Sequence, residues 1–178
     1  PDSSFWYLTG FIEPDAIAVF SKNNYSIFLR PKDKTKEIWN GKRLGAEAAP
    51  QALLADNAYS IDLFAEQLDA LIDDRTVIYY DNNSTNTMAE DIASSSDIKP
   101  LLPHISEMRL FKDANEINNM QISADLATKA HTQAMTSVKP GMFEYEIAAL
   151  FDNEFKKNNS THAYTPIVAG GENACVLH

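Results

Sequence analysis

Two stretches in direct succession, residues 113–138 and 143–157, each carry apolar residues along one helical face, so the chain must give two neighbouring amphipathic helices something to lie against. In the first, Ile117, Met120, Ala124, Ala127, Ala134 and Met135 share a face behind Asp113 and Glu116, an acidic variant of the capping box. In the second, Ile147, Leu150, Phe151 and Phe155 line one side. Glu144 and Glu146 stand in its first turn and Lys156 and Lys157 in its last, which complements the helix dipole. Lys139-Pro-Gly141 separates the two helices. Open apolar surface costs about 25 cal/mol per Å², so both faces are expected to be buried against the earlier part of the chain or against a second copy of it.

That earlier part reads as alternating strand and helix. Runs at Ala16 to Phe20 and Tyr25 to Leu29, separated by the turn-prone Ser21-Lys-Asn-Asn24, predict an antiparallel hairpin. Leu63, Phe64, Leu68, Leu71 and Ile72 recur at helical spacing behind Asp62 as a candidate cap, and Thr76 to Tyr80 predicts a further strand. A polar stretch, Asp81 to Ser96, then gives way to Pro100-Leu-Leu-Pro103, and the domain boundary is placed there, between 1–100 and 101–178. At the far end, Ile167-Val-Ala and Ala174-Cys-Val-Leu flank Gly170-Gly-Glu-Asn173, the pattern of two strands about a glycine turn. The chain opens on Pro1 without a signal-peptide pattern and stops inside an apolar run. It is therefore expected to begin and end inside a longer sequence.

Charge and composition narrow the function. Of 178 residues, 15 are Lys or Arg and 25 are Asp or Glu, and the formal net charge of -10 repels phosphate backbones and anionic lipid. No nucleic-acid or membrane partner is expected. There is no run of about 18 apolar residues such as a transmembrane helix needs. The single Cys175 excludes an internal disulfide and fits a reducing cytoplasm, the expected location. Set among Ala174, Val176 and Leu177, it reads as a small buried hydrophobe, chemically inert.

A complete active site is missing from the pattern. There is no His-Glu-x-x-His, P-loop, Gly-x-Ser-x-Gly or dinucleotide fingerprint, and none of His104, His131, His162 and His178 stands at metal-ligand spacing from another. Two single residues stand out. His178 ends an apolar run after the glycine turn, where a ring nitrogen could donate to a developing oxyanion. Trp39 lies in the polar, turn-like Glu37-Ile-Trp-Asn-Gly41, where an exposed indole could anchor a ligand; the bland alternative is an indole half buried against its own domain.

Four segments together resemble the bacterial Xaa-Pro aminopeptidases, members of the pita-bread metallopeptidases. They are Phe5-Trp-Tyr-Leu-Thr-Gly-Phe-Ile-Glu-Pro-Asp15, Glu37-Ile-Trp-Asn-Gly-Lys-Arg-Leu-Gly45, Glu107-Met-Arg-Leu-Phe-Lys112 and Ile167-Val-Ala-Gly-Gly-Glu-Asn-Ala-Cys-Val-Leu-His178. Ala130-His-Thr-Gln-Ala-Met135 and Lys139-Pro-Gly-Met-Phe-Glu-Tyr-Glu-Ile147 also fit. Ser106 departs from the resemblance, standing where relatives commonly carry histidine, and so does Gly170, where they often carry serine.

The resemblance implies an α/β fold: a creatinase-like N-terminal domain over 1–100, with mixed sheet and helices and its first strand before Pro1. Residues 101–178 would then be a linker and the start of an α+β pita-bread catalytic domain, two helices and a hairpin. It further implies a homo-oligomeric hydrolase acting on proline-containing peptides through two manganese ions. Their ligands, two aspartates, a histidine and two glutamates, would all lie after the position of His178, so no metal ligand and no bound metal is expected within these residues and the chain alone is expected to be inactive. By the same resemblance His178 is catalytic and touches substrate beside the metals, and Trp39 binds substrate in another subunit's active site. Two rivals remain: a prolidase or creatinase relative, and a metal-free pita-bread protein that serves as a binding module.

Overall fold

The computed structural model describes residues 2–71, 76–81 and 97–177. His178 and most of the polar stretch, 82–96, lie outside the described residues. The chain forms two compact units, Pro1–Met108 and Arg109–His178.

The first unit is organised by one strand buried on both faces. Helix α1, Ser3–Thr9, starts where the Asp2 carboxylate accepts the Ser4 and Phe5 amides and stops at Gly10 with φ of 65°. Strands β1 (Ile17–Ser21) and β2 (Asn24–Leu29) follow, antiparallel as expected, with Ser21 opposite Asn24 across a two-residue turn. Helices α2 (Lys34–Asn40) and α3 (Ala49–Leu53) then carry the chain across to β3 (Asn57–Ser60), which pairs parallel to β2. The mixed sheet thus runs β1-β2-β3 with β2 in the middle.

Because successive side chains of a strand point to opposite faces, β2 feeds two cores at once. Ile27 and Leu29 enter a cluster with Phe11, Ala49 and Ala55. Phe28, between them, enters the opposite cluster with Phe64 and Leu68. An uninterrupted apolar run is what a central strand covered on both sides requires.

Helix α4 (Phe64–Leu71) packs on the second of these cores. A 3-10 turn, Ile61–Leu63, leads into it, and the residue at its head is Ser60 rather than the expected Asp62: the Ser60 hydroxyl accepts the Asp62 amide at 3.4 Å and donates to the Asp62 carboxylate at 3.0 Å. A serine two residues earlier can close the turn with its short side chain while Asp62 sits inside it. Strands β4 (Val77–Tyr80) and β5 (Asp97–Pro100) form a parallel pair whose Ile78, Tyr80 and Ile98 pack on the same core. Helix α5, Leu102–Leu110, buries Ile105.

The second unit is a helical pair. Asp113 and Glu116 form the expected box at the head of α6 (Ala114–Ser137): the Glu116 amide donates to the Asp113 carboxylate and the Asp113 amide to Glu116, both at 2.8 Å. A turn through Gly141 leads to α7 (Glu144–Lys157), where the Phe143 amide donates to Glu146 at 2.7 Å. Ala130 and Ala134 are the buried residues of α6, and such small side chains let the neighbouring helix approach closely.

In the single chain Ile147, Leu150, Phe151 and Phe155 of α7 are half-buried, whereas part of the α6 face stays open. Ile117, Met120 and Met135 each remain more than half exposed in the single chain. Lengths account for Ile117 and Met120: at about 1.5 Å per residue, α7 is little more than half as long as α6 and, folding back from its C-terminal end, does not extend along its first turns. Buried instead is a charge, Glu154, whose side chain is 1% exposed and accepts Lys129 at 2.6 Å and Asn158 at 3.1 Å, with Lys157 at 3.6 Å. The hydrogen bond from Lys129 holds its carboxyl below the ordinary range.

Candidate functional site

Trp39 stands on a stretch of chain fixed from both ends. The Asp33 carboxylate caps α2 by accepting the Thr35 and Lys36 amides at 2.9 and 3.1 Å, and the bond from Lys36 leads in holding that carboxyl below its usual range. Gly41, at φ of 80°, ends the helix and sends its amide back to the Glu37 carbonyl at 3.1 Å. Beyond it the chain is tied down through side chains. Arg43 donates its amide to the Glu37 carboxylate at 3.0 Å, and Leu44 donates to Glu13 at 2.8 Å. The Arg43 guanidinium lies 3.8 Å from the other Glu13 oxygen, with both side chains only 16% exposed.

Leu44 packs on the Ile27 and Leu29 core. Gly45 sits at φ of 71°, a left-handed conformation that a residue with a Cβ adopts only under strain. Glu37-Ile-Trp-Asn-Gly41 is therefore the last turn of a helix and not the free turn the sequence suggested, since a cap and a glycine stop suffice for a short helix. It leaves Ile38 79% and Trp39 85% exposed, two apolar side chains presented by a braced segment.

The segment that leads to His178 is built differently from expectation. Where two strands about a glycine turn were expected, residues 165–170 have no regular structure and Gly171–Cys175 form a 3-10 turn. A strand needs a neighbour to satisfy its amides and carbonyls, and among the described residues none lies beside this segment. Cys175 is exposed, not buried, for the same reason: its apolar neighbours Val176 and Leu177 are themselves 64% and 87% exposed. Among the described residues one side chain hydrogen-bonds to the segment from outside it. Glu144, the first residue of α7, accepts the Gly170 amide and the Asn173 side-chain amide on a single carboxylate oxygen, both at 2.8 Å. These bonds, Asn173 first, hold the Glu144 carboxyl below its usual range. The sequence showed Glu144 only as a dipole-matched acid, because its partners lie 26 and 29 residues away.

The three described histidines are packing residues. His104 meets Tyr79 edge to face at 4.8 Å, His131 meets Phe151 at 4.8 Å, and His162 lies 4.8 Å from Phe155 with its Nε2 at 2.8 Å from Asp152. Among the described residues no group of three or more His, Cys, Asp or Glu could hold a metal ion, and no helix is long and apolar enough to cross a membrane.

Comparison with known proteins gives matches in chain order. Residues 1–79 match the family described as aminopeptidase P, N-terminal domain, and residues 118–178 match metallopeptidase family M24. The chain is 41% identical to a Xaa-Pro aminopeptidase of Haemophilus influenzae over 99% of its own length and 43% of that protein's. It superposes with a TM-score of 0.90 and 37% identity on proline aminopeptidase P II from Yersinia pestis, covering 99% of this chain and 45% of that one. A zinc-substituted E. coli aminopeptidase P in complex with product gives 0.90 at 33%, with the same coverage. The chain thus spans less than half the length of the relatives it matches.

Proposed function

We propose, from the premise that this chain belongs to the Xaa-Pro aminopeptidase family, that it serves as the N-terminal part of a metallopeptidase releasing the first residue of peptides with proline second. The observation that carries the reading is the two-part match: the aminopeptidase P domain falls on the first unit and the M24 segment on the second. Family M24 implies divalent metal. Two manganese ions, held by two aspartates, a histidine and two glutamates, are the set we infer. The described residues do not fit such a set, since they bring no three candidate ligands together. In this reading the ligands lie after the position of His178.

Two residues of this chain have roles in the proposal. His178 donates a ring N–H to the oxygen that becomes negative as the scissile carbonyl is attacked. Trp39 packs its indole over substrate in the active site of a second subunit, and its exposure on a braced helix end supports that use. Proline after the scissile bond makes a tertiary amide, so the site must recognise a ring as well as a free amine.

Hydrolysis of Xaa-Pro tripeptides by the whole protein tests the function. Manganese-dependent release of the first residue is expected, with the matching Xaa-Ala peptides left intact. Cleavage of dipeptides alone would replace the reading with that of a prolidase. The isolated 178-residue chain is expected to hydrolyse nothing, and tight stoichiometric manganese binding by it would overturn the placement of the ligands.

Trp39→Ala in the whole enzyme is expected to raise KM for longer peptides while leaving the thermal midpoint nearly unchanged. A substitution at so exposed a position typically moves stability by no more than about 0.5 kcal/mol. A loss of stability with KM unaltered would mark the indole as a packing residue.

A further inference from the structure

Beyond His162, which is held to α7 by Asp152 and Phe155, residues 166–177 lead on in sequence to the candidate catalytic histidine with little to hold them in place. Their one piece of regular structure, the 3-10 turn, is closed by bonds within itself: the Asn173 amide donates to the Gly170 carbonyl at 3.2 Å and the Val176 amide to Asn173 at 3.0 Å. Apolar burial does not fix the segment either, since Ile167, Val176 and Leu177 are all more than half exposed. Among the described residues, the two hydrogen bonds that reach 166–177 from elsewhere in the chain both end on Glu144 Oε1. One is from a backbone amide and one from a side-chain amide, so they fix the orientation of the turn as well as its position.

We propose that Glu144 is a positioning residue for His178, whose carboxylate straps to the head of α7 the 170–173 turn from which the sequence leads on to that histidine. The proposal rests on the reading of His178 given above. The chemistry suits the task. A carboxylate accepts amide hydrogens more strongly than a neutral oxygen does, and one oxygen with two lone pairs can take both donors. Glu144 stands on the first residue of a regular helix whose far end is anchored through Glu154, so the strap is tied to a rigid element while the segment it holds is not. Without the strap the turn keeps its internal bonds but loses its fixed place, and a donor that must reach a developing charge is sensitive to small displacements.

Four variants of the whole enzyme, Glu144→Ala, Glu144→Gln, His178→Ala and the double variant Glu144→Ala/His178→Ala, test the strap. Two readouts apply: kcat and KM on an Xaa-Pro tripeptide, and hydrogen exchange of the Gly170 amide. Glu144→Ala is expected to lower kcat about 10-fold, as outer-shell changes typically do, with KM within about twofold and faster exchange at Gly170. Glu144→Gln keeps an acceptor oxygen and should restore most of both readouts. In the His178→Ala background, Glu144→Ala should cost no further activity.

If His178→Ala lowers kcat and Glu144→Ala does not, the positioning role is overturned while the reading of His178 stands. If kcat is unchanged in His178→Ala, the reading of His178 fails and the proposal fails with it. A loss from Glu144→Ala that persists in full without His178 would show that Glu144 acts elsewhere, and would also overturn it.

Discussion

Phe28→Ala is expected to destabilise the first unit by about 3–5 kcal/mol, the usual cost of truncating a buried aromatic to alanine. The ring is fully buried and sits between Tyr59, stacked at 5.3 Å, and Phe64, edge-on at 5.1 Å. It is also the side chain through which the central strand reaches the Phe64 and Leu68 core, so no neighbour on its own strand can fill the space. Domains of ordinary size have only about 5–15 kcal/mol of stability to lose, and each kcal/mol moves the midpoint of a 60–100-residue unit by about 4–8 °C. Calorimetry of the variant should therefore show a midpoint lowered by tens of degrees, or a unit already unfolded. A loss under about 1 kcal/mol would mean the core collapses around the gap, and the two-faced role of β2 would be wrong.

His178→Ala is expected to lower kcat on Xaa-Pro tripeptides by about 10²-fold, the scale of losing one preorganised oxyanion donor, while the manganese content of the whole enzyme stays the same. An interaction made only in the transition state costs kcat and kcat/KM alike, so KM should change little. The measurement pairs steady-state kinetics with metal analysis of the same preparations. An unchanged kcat would end the proposal. A parallel loss of metal would assign His178 to the ligand set instead.

Legibility followed the range of the interactions. The hairpin was readable because its turn and both strands fall within 13 residues, from Ile17 to Leu29, and the box at Asp113 because both partners lie within one turn. β5 was not: Asp97-Ile-Lys-Pro100 has one apolar side chain and owes its strand to pairing with Val77–Tyr80. The segment 167–177 was misread because its apolar letters mimic a strand while pairing, not composition, makes one. Trp39 was legible as a suspect. The bracing of its helix was not, because it depends on Glu13, about 30 residues upstream of Leu44. Glu144 is the extreme case, an acid whose role is set entirely by contacts far along the chain.

The parallel pairing of β2 with β3 has a kinetic consequence. Ser26 must find Asn57 and Leu29 must find Ser60 across an intervening crossover that holds both α2 and α3. Closing such a loop costs entropy before any rung of the ladder repays it. In the second unit α6 meets α7 across only the Val138–Phe143 connection, and contacts so local form quickly. The second unit is thus able to form its helical pair at once, while the first unit must search for its register with Ile27, Phe28 and Leu29 uncovered. During that interval β2 is open to pairing with the wrong strand.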